Sequence, residues 1–179
     1  MNNVLLTKRI RILIGLLSLS CFLTGCKFGR DVNRENTSAL ENQDRDWLLG
    51  KTLNSIDSII HRESEYTILY IFNYYDCNTC INVGFQIVNR IDSLCSGSCV
   101  KVVTSLLSDL ASIQRINNYR GYVYVDAKDV IRKELKYSPT PMLLLIDLDN
   151  RIVDALIPTN NPNNYQSNMF LDSCVKYIE

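Results

Sequence analysis

The chain has one histidine in 179 residues, His61, so a multi-histidine metal site lacks its ligands and Cys-His hydrolysis has little support. His61 lies in a polar stretch and reads as a solvated side chain. There is no surplus of either charge: 19 basic groups balance 19 acidic ones. Without a clustered positive surface, nucleic-acid binding is not expected. There is also no apolar run that spans a bilayer comfortably, since the longest, from Ile12 to Leu23, is too short. Neither internal repeats nor low-complexity segments occur.

With 46% hydrophobic and 21% charged residues, the chain suits one domain with a real core. Its start belongs elsewhere. Lys8, Arg9 and Arg11 precede the apolar stretch, the pattern of a signal peptide. The stretch ends in Leu23-Thr24-Gly25-Cys26, which resembles a bacterial lipobox. That resemblance implies cleavage after residue 25 and lipidation of Cys26, with several acyl chains giving a stable membrane anchor. The alternative is a plain signal peptide or uncleaved anchor with an incidental cysteine. Residues 26–46 are polar and charged and read as a flexible tether, and the folded domain is expected over 47–179. Loss of the leader would remove only basic groups. Export would also put the thiols in an oxidising compartment.

Strand and helix patterns alternate through the domain. Thr67 to Phe72 reads as one buried strand, and a helix from about Cys77 to Leu94 turns Ile81, Phe85, Val88 and Ile91 inward. Val100 to Ser105 is a second strand, Ser108 to Ile116 a helix, Gly121 to Asp126 a short strand, and Lys128 to Leu135 another helix. Met142 to Asp147 and Arg151 to Leu156 flank a tight turn as a hairpin. A last helix, about Asn164 to Ile178, carries Tyr165, Met169, Val175 and Ile178. Ile56, Ile59 and Ile60 give 55–61 helical spacing as well. The expected class is α/β: a mixed, mostly parallel central sheet with helices on both faces and a C-terminal antiparallel hairpin at its edge.

Seven cysteines sort by position. Cys21 leaves with the leader, Cys26 is the lipid site, and Cys174 sits in an apolar helical pattern that reads as buried and inert. Cys77-Asn78-Thr79-Cys80 follows a strand and opens a helix. There, unpaired N–H groups and the positive helix end favour a thiolate at Cys77, and Cys80 lies one turn in, able to close a disulfide. A static structural disulfide is the plainer reading of the same pair. Cys95 and Cys99 suit a local disulfide. Their alternatives are half of a four-thiolate zinc site with Cys77 and Cys80, or a second redox pair, and the length of the intervening helix argues against both. No metal and no cofactor is expected.

The strand–C-x-x-C–helix unit, the βαβαβαββα order and Thr140-Pro141 directly before the strand from Met142 together resemble the thioredoxin fold. Within it they resemble the exported, membrane-anchored TlpA/ResA-like thiol-disulfide oxidoreductases. The resemblance implies a cis bond at Pro141 beside the C-x-x-C pair, a substrate chain pairing with the backbone of Thr140, and catalysis by Cys77 and Cys80. Tyr75 is a further candidate for substrate contact. It also implies, as partners, exported cysteine-containing proteins and a membrane thiol-disulfide donor or acceptor. The direction of electron flow stays open. The chain departs from the family by placing Asp76, a carboxylate that works against the thiolate, where an aromatic residue usually precedes the first cysteine. It also lacks a buried acid in the preceding strand.

Two other functions fit the same fold. A tethered binding module could retain the disulfide while a groove with Tyr74, Tyr75 and Thr140 holds a partner. A peroxiredoxin-type peroxidase would want Thr or Ser three residues before its cysteine, where this chain has Tyr74. The location implied is the bacterial cell envelope. Lys27 in place of an Asp-type retention signal points, by family rule, to the outer membrane where there are two.

Overall fold

The computed structural model describes residues 43–62, 64–95, 99–105, 109–136 and 138–178. The leader, Cys26, the tether as far as 42 and the middle of the turn at 96–98 lie outside them. Five strands form one sheet in the order β3-β2-β1-β4-β5, with β1 Thr67–Phe72, β2 Val100–Thr104, β3 Val123–Val125, β4 Met142–Ile146 and β5 Ile152–Leu156. All residues of β1 and β4 are buried, which is the pattern of strands covered on both faces.

β1 pairs with β2 in parallel, Tyr70 opposite Val102, and with β4 antiparallel, Ile71 opposite Met142. Parallel β2–β3 and antiparallel β4–β5 pairings complete the sheet. The sheet is thus mixed, with four of its five strands running in one direction and β4 opposing them, and β5 of the hairpin at its edge. The hairpin's apolar first strand goes inside, against β1, because only there are both of its faces covered.

The even positions of β1, Ile68, Tyr70 and Phe72, face a core shared with α1 (Asn78–Leu94) and with Phe170, Leu171 and Cys174 of α4 (Tyr165–Ile178). Leu110 and Ile113 of α2 (Leu110–Ile116) pack on the same side. Leu69 and Ile71 face the second core, with Leu48, Leu53, Ile56, and Ile131 of α3 (Val130–Glu134). Burying each such side chain fully contributes about 1.5–3 kcal/mol before entropy is counted.

One expectation needs correction. Residues 55–61 are not a helix: only Ile56–Ser58 make a single 3₁₀ turn. A run of β-branched isoleucines favours helix poorly, and the segment is held instead by the Glu134 carboxylate. That group accepts bonds from the N–H and side chains of both Asn54 (2.7 and 2.9 Å) and Ser55 (3.1 and 2.6 Å). In α4 the inward stripe is Ser167, Phe170, Leu171 and Cys174, while Tyr165 and Met169 are exposed. Among the described residues, 43–48 are helical. Arg45 donates from Nε and Nη2 (3.1 and 2.8 Å) to the buried carboxylate of Asp154 on β5.

Candidate active site

At the end of β1 the chain turns through Asn73-Tyr74-Tyr75-Asp76 and enters α1, with Cys77 as the N-terminal cap residue. The Cys77 carbonyl accepts the first helical bond from the Ile81 N–H at 2.9 Å. Cys77 is exposed and Cys80 half-buried, and both thiols are unbonded. Because β4 runs antiparallel to β1, its N-terminal end comes beside the C-terminal end of β1. That register puts Thr140-Pro141 next to the cysteine loop, and the Thr140–Pro141 bond is cis.

The two thiols are chemically unequal. Cys77 lies below the ordinary thiol value: the Cys80 N–H, then the Cys80 thiol, favour its charged form, burial opposes slightly, and the N–H and hydroxyl of Thr79 add to the lowering. None of these closes into a full capping hydrogen bond. Cys80 is pushed up to about 11, first by burial, then by its hydrogen bond to Cys77 and by the nearby charges of Cys77 and Asp76. An exposed sulfur that ionises easily beside a sheltered one that does not is the arrangement disulfide exchange needs.

Asp76 is turned away from the role its position suggests. Burial raises its carboxyl, while hydrogen bonds from Thr140 and Asn73 pull it back. Its Oδ1 accepts the Thr140 hydroxyl at 2.7 Å and its Oδ2 the Asn73 N–H at 2.7 Å. The Asn73 side-chain amide donates to Thr140 Oγ1 at 3.1 Å, and the Ser105 hydroxyl donates to Asn73 Oδ1. Sequence reading missed Asn73 and Ser105. The available signal was an amide directly after a wholly apolar strand, where a buried polar group demands partners.

Tyr75 is 56% exposed, and the Arg132 guanidinium lies 5.2 Å from its ring centre. Tyr74, 71% exposed, meets Tyr75 edge-on at 5.0 Å. Tyr74 also lines a hollow of about 420 Å³ with Asn78, Ile81, Ile113, Ile116 and Asn117, beside the start of α1.

Cys95 and Cys99 are joined by a disulfide, with Cα atoms 6.0 Å apart. It sits beyond the far end of α1, whose seventeen residues span about 25 Å. The four sulfurs therefore form no single cluster, and direct exchange between the pairs has no path. Among the described residues, no group of three His, Cys, Asp or Glu is placed to hold a metal. Cys174 is buried and its thiol is raised, chiefly by burial.

No protein-family model and no curated protein matches the chain. Solved structures do. A Cys-to-Ser mutant of PrxQ from Xylella fastidiosa aligns over 73% of this chain and 97% of its own, with TM-score 0.51 and 14% identity. StoA from Bacillus subtilis aligns over 64% and 84%, with TM-score 0.47 and 16% identity. The thioredoxin domain of a thiol-disulfide oxidoreductase from Bacteroides vulgatus aligns over 62% and 79%, with TM-score 0.46 and 10% identity. At these identities the likeness concerns the fold, which is α/β and thioredoxin-like.

Proposed function

We propose that this domain is a thiol-disulfide oxidoreductase acting through Cys77 and Cys80. The observation that carries the reading is the joint placement of an exposed thiol at a helix start, held below the ordinary thiol value, and a sheltered partner one turn in, with Thr140 bonded to the residue before them.

The Cys77 thiolate attacks one sulfur of a substrate disulfide, forming a Cys77–substrate disulfide and expelling the other substrate sulfur as thiolate, which takes up a proton. Cys80 then gives up its proton and attacks the Cys77 sulfur. The second substrate thiol leaves, and the two electrons gained by the substrate are balanced by the new Cys77–Cys80 disulfide. Run in reverse, the same steps donate a disulfide. In this reading Thr140 and Tyr75 contact an extended substrate segment, the Thr140 backbone pairing with it.

In this reading the substrates are exported cysteine-containing proteins, and a membrane thiol-disulfide partner resets the pair. The lipobox-like segment at Cys26 supports a lipid-anchored place in a bacterial cell envelope, within a TlpA/ResA-like group. Intact-mass analysis of the membrane fraction tests the anchor: a Cys26→Ser variant should stay soluble and unlipidated.

Trapping tests the chemistry. Cys80→Ser should accumulate mixed disulfides through Cys77, and their identification yields both substrate and direction. A pair that can be reduced and reoxidised but never forms such adducts, nor consumes peroxide, favours the binding module, for which the Asp76 carboxylate at the family's aromatic position is the supporting observation.

A further inference from the structure

We propose that Asp76 is the positioning residue of the substrate groove: its carboxylate, bonded to both Thr140 and Asn73, sets the Thr140-Pro141 backbone at the spacing from Cys77 that an extended disulfide-bearing segment requires. This rests on the exchange reading above and adds to it a residue that the chemistry of C-x-x-C does not call for.

The argument starts from what each group can donate or accept. The Asn73 N–H and the Thr140 hydroxyl both point to one side chain, at 2.7 Å each. A carboxylate, with two acceptor oxygens and no donor, accepts both at once without turning either partner. An amide of the same size keeps one acceptor and turns an N–H on the other. Thr140 Oγ1 is used twice, donating to Asp76 and accepting from the Asn73 amide at 3.1 Å. Asn73 is 1% exposed and is itself fixed by the hydroxyl of Ser105, the residue after β2. The circuit therefore ties three segments: the turn before Cys77, the end of β2 and the entry to β4. The first and last of these are the two walls between which the substrate cysteine must sit. A hydroxyl pinned by two partners on buried supports leaves Thr140 little freedom to drift from Cys77.

The alternative is that the circuit merely staples loops. The two differ in which substrate suffers. A protein disulfide uses the backbone at Thr140, whereas hydroxyethyl disulfide has no backbone to pair and needs only Cys77 and Cys80. The experiment measures steady-state reduction of insulin and of hydroxyethyl disulfide by the parent protein and by Asp76→Asn, Thr140→Val, Thr140→Ser and the Asp76→Asn/Thr140→Val double variant. Expected are a rise of about tenfold in KM for insulin in the Asn and Val variants, the loss of one charge-assisted bond, with kcat held to about twofold. Hydroxyethyl disulfide turnover should shift by less than the insulin KM in every variant, Thr140→Ser should lie closer to the parent than Thr140→Val, and the double variant should be no worse than the poorer single. If Asp76→Asn does not fold, the Thr140 pair decides alone. An active parent whose variants lose both substrates equally, or neither, overturns this proposal only. A parent inactive on both disulfides overturns the exchange reading and the proposal with it.

Discussion

The phenol ring of Tyr70 fills the space that a side chain at Gly84 would need. A Cβ at that glycine would lie 2.5 Å from Cζ of the ring, and the Tyr70 hydroxyl is fixed there by donating to the Ile81 carbonyl at 3.0 Å. Tyr70 is wholly buried, and burial raises its hydroxyl well above the ordinary value, so the ring remains neutral. The glycine is what lets α1 settle close enough to β1 to bring its first turn, and hence Cys77, over the sheet end.

Gly84→Ala should therefore destabilise the domain. Overpacking a rigid site costs about 1–3 kcal/mol, and better helix propensity returns at most about 1 kcal/mol. The rigidly held ring puts the cost toward the upper end, so the expected net loss is about 2 kcal/mol, read as a lower urea midpoint at unchanged slope. An unchanged or higher midpoint would show that Tyr70 can move aside.

Alkylation should separate the two active-site thiols. Cys77 is held below the ordinary thiol value of 9.0, so its thiolate fraction, and its rate with iodoacetamide, should reach half-maximum below that pH. Cys80, raised to about 11, should be labelled slowly until the medium is strongly alkaline. Peptide mapping of the modified protein across pH checks this. Equal labelling of both at neutral pH would contradict the asymmetry.

Removing the Cys95–Cys99 disulfide should cost stability and spare catalysis. Closing so short a loop is worth about 2 kcal/mol in the chain-entropy model. The double Cys95→Ser/Cys99→Ser variant should melt lower while keeping the parent rate of insulin reduction per folded molecule. A loss of rate at full folding would place the second pair in the electron path.

Glu134 should contribute to acid sensitivity. Burial raises its carboxyl, but the bonds from Ser55 and Asn54 outweigh it and hold the group below its ordinary 4.5. A depressed carboxylate stabilises above its unfolded value and loses that contribution as pH falls through the folded one. Glu134→Gln should thus weaken the fold by about 1–2 kcal/mol near neutrality, and the difference from the parent should vanish well below pH 4.5. Urea unfolding at both pH values tests it; a constant difference would locate the effect in packing instead.

Much of this was legible in the residues, and unevenly so. β1 and the start of α1 could be read because an uninterrupted apolar run meets an amphipathic segment at Cys77, and two patterns changing at one residue mark a boundary well. β4 was legible as a strand, but its position inside the sheet was not, since pairing partners are non-local. The segment at 55–61 misled because three isoleucines fall at helical spacing, while the group that organises it, Glu134, is some eighty residues away. Asp76 shows the same limit at the site. From its neighbour in sequence it reads as an adverse charge on Cys77. In space its oxygens belong to Thr140 and Asn73, and side-chain direction is not written in the order of residues.

β4 runs Met-Leu-Leu-Leu-Ile with every residue enclosed, so neither of its faces is marked. A slide of the strand by one position would exchange leucine for leucine and offend the hydrophobic interior very little. What such a slide would ruin lies at its mouth: Thr140 would leave Asp76 and the proline would leave the cysteines. Alignment of the innermost hairpin strand is thus reinforced at the reaction centre as well as by its pairing with β1 and β5.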